Sequence, residues 1–356
     1  MRSGFLPDRI IHLHPTRLCN LACLHCYSES NPQQRAALDP DVLCSALEVL
    51  RAEGYSQVSL SGGEPLVYAP LRAVIEHSRK LGYRVTMISN GLLATDRMNP
   101  VLEQLDGIAI SFDGLEDTHN VVRGRPDAFR RACAAVEHIA KKGLPIAGAI
   151  SLARDSIPEL PDLAEHLVNL GARALQVRPV ARAGRARSLA ETTFYSATDR
   201  ARLYLVVRAL QQELGDQVRV HCDLAPTLGL WEQRDDYAGL LGDCGTVCLE
   251  DRPLADLVNP LVITDAGTLK PIAYDFDSRF DVGSINELSS TTLREYKRHR
   301  LSPLQNLIGG AVAALREARD LVDWFDHCTR LSEVQHLLQS KRSERSEGSL
   351  SVGRSS

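Results

Sequence analysis

The chain has 356 residues, enough for two domains or one large one around a sizeable core. Hydrophobic residues make up 44% and charged residues 24%, and the net charge of −4 argues against a nucleic-acid or anionic-membrane partner. No apolar run approaches the roughly 20 residues needed to span a bilayer. Residues 1–8 lack the apolar stretch of a signal peptide, so the expected setting is cytoplasmic.

In chain order, short apolar runs at residues 10–14, 57–61, 84–89, 108–112, 145–152 and 174–179 read as parallel strands covered on both faces. Amphipathic stretches near 40–53, 67–81, 96–105, 126–142 and 158–170 read as the helices between them. Asp39-Pro40 supplies an N-cap followed by proline, and Gly54, Gly82, Gly143 and Gly171 close four helices. Six strand–helix repeats predict an α/β fold, a parallel sheet curling into a partial (β/α)6 TIM-like barrel with its site at the C-terminal strand ends. After Pro179 the pattern changes. Residues 181–187 form a basic, glycine-containing loop, 198–215 a helix, and Ala266-Gly267 turns a hairpin between 260–265 and 268–273. Residues 304–325 read as mostly helical with an interruption at Gly309-Gly310. The expected domains are a barrel over 8–190, an α+β domain over 191–338 and a disordered Ser/Arg/Glu/Gly-rich tail over 339–356.

The chain has nine cysteines, a high and odd number for a reducing compartment, where clustered thiols more often bind metal than form disulfides. Cys19, Cys23 and Cys26 form a C-x3-C-x2-C run in the loop after the first strand. Three thiolates can ligate three irons of a 4Fe–4S cube and leave the fourth open. A zinc site would need a fourth ligand, for which His25 or His14 could serve, and small buried thiols are the third reading.

CNLACLHCY, followed by SGGEP, SNG and SFDG at the ends of successive strands, resembles the radical S-adenosylmethionine superfamily over residues 8–190. The resemblance implies that Cys19, Cys23 and Cys26 hold a 4Fe–4S cluster whose open iron chelates the methionine of S-adenosylmethionine. An electron from the cluster then cleaves the cofactor to a 5′-deoxyadenosyl radical that abstracts hydrogen from a substrate. It further implies that Gly62, Gly63, Glu64 and Pro65 receive the methionine ammonium, the glycines allowing close backbone approach. Ser89 and Asn90 would meet cofactor or substrate, and Ser111 and Asp113 the ribose. Arg123, in THNVVRG with His119, would reach the cofactor carboxylate. Ser151 and Arg178 are further cofactor-binding candidates. Each turn motif also has a plainer structural reading, and a strand-end arginine that of an ion pair.

The C-terminal part resembles the SPASM/twitch extension, most clearly in PLVITDAGTLKPIAYDF. The hairpin cysteine of that extension is here Ile272, and its later C-x2-C-x5-C run is absent, which excludes two auxiliary clusters on ligand count. One auxiliary 4Fe–4S cluster on Cys222, Cys244, Cys248 and Cys328 is arithmetically open, and no cluster is equally compatible with Ile272. Cys44 and Cys133 read as core or surface thiols. The peptide-maturase-like branch implies a ribosomally synthesised precursor peptide, modified by cross-linking, epimerisation or backbone rearrangement. The alternatives are a radical dehydrogenase or related enzyme acting on a small metabolite such as an aminoglycoside or cofactor precursor, and a non-enzymatic zinc or iron–sulfur protein. Implied partners are an electron donor such as ferredoxin or flavodoxin. The segment before the first strand is too short for a peptide-recognition domain, so a leader peptide would need a separate binding protein or a C-terminal groove. Tyr274, Asp275 and His221 are acid/base candidates near the barrel mouth, to be decided by geometry before pKa.

Overall fold

The computed structural model describes residues 9–234 and 249–334. Six strands, β1 (Ile10–Leu13), β2 (Gln57–Leu60), β3 (Arg84–Ser89), β4 (Gly107–Phe112), β5 (Ile146–Leu152) and β6 (Ala174–Pro179), each pair in parallel with the next. Between them run α1 (Pro40–Ala52), α2 (Leu71–Lys80), α3 (Asn99–Leu102), α4 (Glu116–Arg123), α5 (Ala128–Lys141) and α6 (Leu160–Asn169). The Asp39 side chain caps α1 by accepting from the backbone N–H of Asp41 and Val42. The partial barrel expected from the six repeats is the observed architecture, with the residues of the cysteine loop at the C-terminal edge of the sheet.

The two faces of these strands differ. On β4, Ile108, Ile110 and Phe112 are buried against the helices, while Ala109 and Ser111 alternate onto a half-accessible face. On β5, Ala147, Ala149 and Ser151 do the same between Ile146, Gly148, Ile150 and Leu152. The expectation of strands covered by apolar side chains on both faces is corrected here. One face packs on helices and the other is a lumen lined by small and polar residues. The helix-facing core includes Ile11, Leu13, Leu43, Leu47, Leu50, Val58 and Leu60, all fully buried, each worth about 1.5–3 kcal/mol of apolar burial.

The C-terminal half joins this sheet rather than standing beside it. β7 (Arg219–Cys222) extends it in parallel beyond β6, after helix α7 (Ala197–Leu214) with its Ser196–Asp199 capping box. β8 (Leu224–Pro226) leads into α8 (Thr227–Glu232), and α9 (Leu254–Leu257) precedes β9 (Leu261–Ile263), which runs parallel to β1 on its other side. β10 (Thr268–Pro271) and β11 (Gly283–Ser284) follow antiparallel, giving the order β11-β10-β9-β1-β2-β3-β4-β5-β6-β7. The stretches assigned to a barrel and to a separate domain therefore share one sheet. Lys297, on α10 (Ser290–His299), is buried and reaches back to Glu53 at 2.7 Å and to the Arg252 carbonyl.

Three elements depart from the sequence reading. α11 (Leu301–Leu315) runs straight through Gly309-Gly310 and ends before β12 (Leu321–Asp323), which pairs with β8. Buried Leu307, Ile308, Ala311 and Val312 on either side outweigh a propensity cost of about 1 kcal/mol per glycine. Residues 96–105 yield only a 3-10 turn and the single turn of α3, and α4, a short polar helix, was not anticipated. The tail over 339–356 and the cysteines Cys244 and Cys248 lie outside the described residues. Among the described residues no helix is long and apolar enough to cross a membrane.

Candidate active site

The loop after β1 gathers its three cysteines. Cys19 is 8% and Cys23 9% exposed, and both pack with Leu21 and Leu92, with half-buried Cys26 against them. Burial, and after it the charge of Glu64, pushes the Cys19 thiol up to about 12, and burial raises Cys23 as well. Such thiols hold their protons until a metal displaces them. Among the described residues no three His, Cys, Asp or Glu side chains converge on a single ion. Among the described residues no fourth zinc ligand joins them either. His25 Nε2 sits 2.7 Å from Asp113 Oδ1, and His14 stacks on Tyr274 with ring centroids 4.8 Å apart. Three grouped thiols fit a cube with one open iron.

The strand-end motifs close on this loop. The Gly63 N–H donates to Thr16 O at 2.9 Å and the Glu64 N–H to Leu18 O at 3.0 Å. A Cβ on Gly63 would lie 2.1 Å from Leu18 O, so close approach of β2's end to the cysteine loop is what requires this glycine. Glu64 is buried, with Oε1 accepting from Ser89 Oγ at 2.8 Å and from the Leu66 N–H, and Oε2 from the Asn90 N–H at 2.8 Å. Burial raises its carboxyl despite these donors. Pro65 begins the 3-10 turn that Glu64 caps. Asn90 Nδ2 donates to Asn20 Oδ1 at 2.7 Å and approaches Cys19 Sγ at 3.8 Å. Thus the ends of β1, β2 and β3 form one hydrogen-bonded unit.

Asp113 and Arg123 hold each other. Arg123 Nε donates to Asp113 Oδ2 at 2.5 Å and Nη2 to Oδ1 at 3.0 Å, both side chains being buried. Burial alone would raise the Asp113 carboxyl, but Arg123, and then His25, hold it well below the carboxylate range. Buried His119, whose Nδ1 accepts from the Asp113 N–H at 3.3 Å, is pushed down to about 4 by burial. The pair ties the end of β4 to α4, and His25 joins the cysteine loop to it through Asp113.

The remaining candidates spread around the rim. Ser111 and Ser151 lie on the lumen face of β4 and β5. Arg178, at the end of β6, pairs with Asp223 at 3.2 Å, and Asp223 also accepts from Gln176. Tyr274 donates to Asp265 Oδ1 at 2.5 Å and meets Tyr27 edge-on at 5.5 Å. Asp275 lies 3.6 Å from Arg187, its carboxyl raised by burial. His221, 3.6 Å from Asp223, is on β7 at the opposite margin of the sheet from Tyr274 and Asp275. Cys222 and Cys328 are buried in the main apolar core, the Cys222 thiol pushed up to about 12 by burial. Sequence reading missed Asp323, whose carboxyl burial, and then the Asp223 charge, push up to about 7. It also missed Arg185, although that residue stands in the basic loop already singled out. Its Nε and Nη2 donate to the carbonyls of Cys23 and Ser30, each at 2.8 Å.

Residues 13–167 match the model of the Radical SAM superfamily, whose proteins use a 4Fe–4S cluster and S-adenosylmethionine. It is 27% identical over 176 residues to the sporulation killing factor maturation protein SkfB of Bacillus subtilis, covering 49% of this chain and 43% of that one. It is 30% identical over 194 residues to an AdoMet-dependent heme synthase of Oleidesulfovibrio alaskensis, covering 53% and 50%. The chain thus spans about half the length of the curated relatives it matches. Its fold is shared with Streptococcus suis SuiB bound to S-adenosylmethionine, at a TM-score of 0.62 and 15% identity over 85% of this chain and 68% of that one. Native anSMEcpe with bound AdoMet and the Cp18Cys peptide gives 0.65 and 15% over 90% and 87%.

Proposed function

We propose that this chain is a radical S-adenosylmethionine enzyme that abstracts hydrogen from a peptide substrate. The observation that carries the enzyme reading is the hydrogen-bonded joining of three strand ends around one pocket of three thiols. When bound, cluster and cofactor supply a one-electron route to cleavage of an unactivated C–H bond. The chain's own residues do the rest. Cys19, Cys23 and Cys26 lose their protons and hold the metal. Glu64, with a lone pair left on Oε2 beyond the Asn90 bond, orients an ammonium group. Ser111 and Ser151 line a lumen kept open by Ala109, Ala147 and Ala149. Tyr27 and Tyr274 stand together at the mouth, the Tyr274 hydroxyl bonded to Asp265.

The peptide reading is supported by the relatives named as maturation or biosynthesis proteins of a killing factor and of the bacteriocin subtilosin, and by the peptide-bound structures that share the fold. A second reading, a small metabolite, is supported by the heme synthase relatives. An electron-donating protein such as ferredoxin or flavodoxin, a separate leader-peptide-binding protein and a cytoplasmic setting complete the proposal. The test is anaerobic reconstitution with iron and sulfide, then reduction in the presence of S-adenosylmethionine. Release of 5′-deoxyadenosine supports the reading, and a zinc-containing protein releasing none overturns it. Deuterium transfer into 5′-deoxyadenosine from a labelled precursor peptide, against none from small metabolites, decides between substrates.

A further inference from the structure

The basic loop that follows β6 clasps the cysteine loop. The Arg185 N–H donates to Cys26 O at 3.0 Å, its Nε to Cys23 O at 2.8 Å and its Nη2 to Ser30 O at 2.8 Å. Three bonds from one residue thus fix the segment carrying two of the three thiols, across 162 residues of chain in the case of Cys23. Gly184, at φ +49, lies so close that a Cβ there would stand 2.4 Å from Cys26 O and 2.2 Å from Tyr27 O. The clasping loop is itself rigid. Ala186 is fully buried with Val180 and Phe194, and Arg182 lies over the Phe194 ring at 3.9 Å while pairing with Glu191. From the other side, Arg17 Nε donates to Ser28 O at 2.9 Å.

We infer that Arg185, seated by Gly184, is a positioning residue that pre-forms the cluster-binding loop and sets its electrostatics. It acts through the carbonyls of Cys23, Cys26 and Ser30 and does not ligate metal. This rests on the radical S-adenosylmethionine reading. A fixed positive charge on the carbonyl of a cysteine of the loop stabilises the more negative, reduced state of a cluster held there, so its loss makes reduction harder.

The experiment compares the full chain, R185Q, R185K and R187Q after anaerobic reconstitution. Iron and sulfide content, the EPR signal after reduction, the midpoint potential and the melting of each apoprotein are measured. Arg187 shares the loop but reaches Glu333 and Asp275 instead. We expect R185Q to load less than half the wild-type iron at unchanged apoprotein melting. Its residual cluster should have a more negative potential, R185K should regain part of the loading, and R187Q should load fully. Wild-type loading, potential and EPR signal in R185Q overturn the inference, as does an equal loss of iron in R187Q, which would place the effect in loop folding. If R185Q melts lower, R185K decides, and an R185K protein that melts as wild type yet loads no more iron than R185Q overturns it. Failure of the wild-type chain to load any iron–sulfur cluster would instead sink the enzyme reading.

Discussion

His25 Nε2 and Asp113 Oδ1 lie 2.7 Å apart, joining the cysteine loop to the end of β4 across 88 residues of chain. His25 stands between Cys23 and Cys26, and Asp113 is at the same time the bidentate partner of Arg123. The carboxylate expected at the cofactor ribose is therefore also the anchor of the loop.

Replacing Asp113 with Asn leaves the Arg123 guanidinium buried without its counter-charge. The expected loss is about 3–5 kcal/mol of folding stability, the usual cost of breaking a buried pair from one side. H25A leaves the Asp113–Arg123 pair intact and should cost less, about 1.5–3 kcal/mol. Urea denaturation of the two apoproteins checks the order, and a D113N protein as stable as wild type would refute it.

Acid should destabilise the apoprotein in two stages. Burial holds His119 and His12 near pKa 4, against 6.5 when unfolded. As pH falls from about 6.5 to 4 the unfolded chain takes up protons that the folded chain refuses, so stability present above that window is lost across it. Asp113, depressed in the fold, adds a loss only as pH drops through and below the ordinary carboxylate range. The urea midpoint followed from pH 7.5 to 3.5 should fall, and H119N should flatten the upper stage. A midpoint independent of pH above 4 contradicts the assignment.

Gly63→Ala should abolish cluster loading, because its Cβ would drive into the Leu18 carbonyl at 2.1 Å. Gly229→Ala meets no heavy atom within 4 Å and serves as the control that loads normally. Iron content of the two purified, reconstituted proteins distinguishes them.

Alanine at Cys19, Cys23 or Cys26 should eliminate the cluster chromophore, whereas C44A and C133A should keep it. We expect about four irons per wild-type chain, the content of a single cube. Cys222 and Cys328 sit in the apolar core, so C222A and C328A should retain that iron while losing stability. About eight irons per chain would restore the auxiliary cluster on Cys222, Cys244, Cys248 and Cys328.

Much of the site was legible because its signals are local. The strands at Arg84–Ser89 and Ala174–Pro179 were read at the bounds the structure gives, since apolar β-branched runs ending in turn residues need no distant information. The helix over 116–123 was missed because its polar sequence carries no apolar stripe and no side-chain cap. The break at Gly309-Gly310 was wrongly expected because propensity is weak against the burial of Leu307, Ile308, Ala311 and Val312.

By itself the sequence determined the repeating strand–helix units, the spacing of Cys19, Cys23 and Cys26, and the turns that end β2, β3 and β4. These depend on periodicity, φ-permissive residues and ligand spacing within a few positions. Only the tertiary structure decided that β9 would close against β1, that Glu64 would bridge Ser89 and Asn90, and that Arg185 would clasp Cys23 and Ser30. Those pairings join residues tens to hundreds of positions apart. Buried carbonyls and carboxylates must find donors wherever the fold brings them, and no local pattern records which donor arrives.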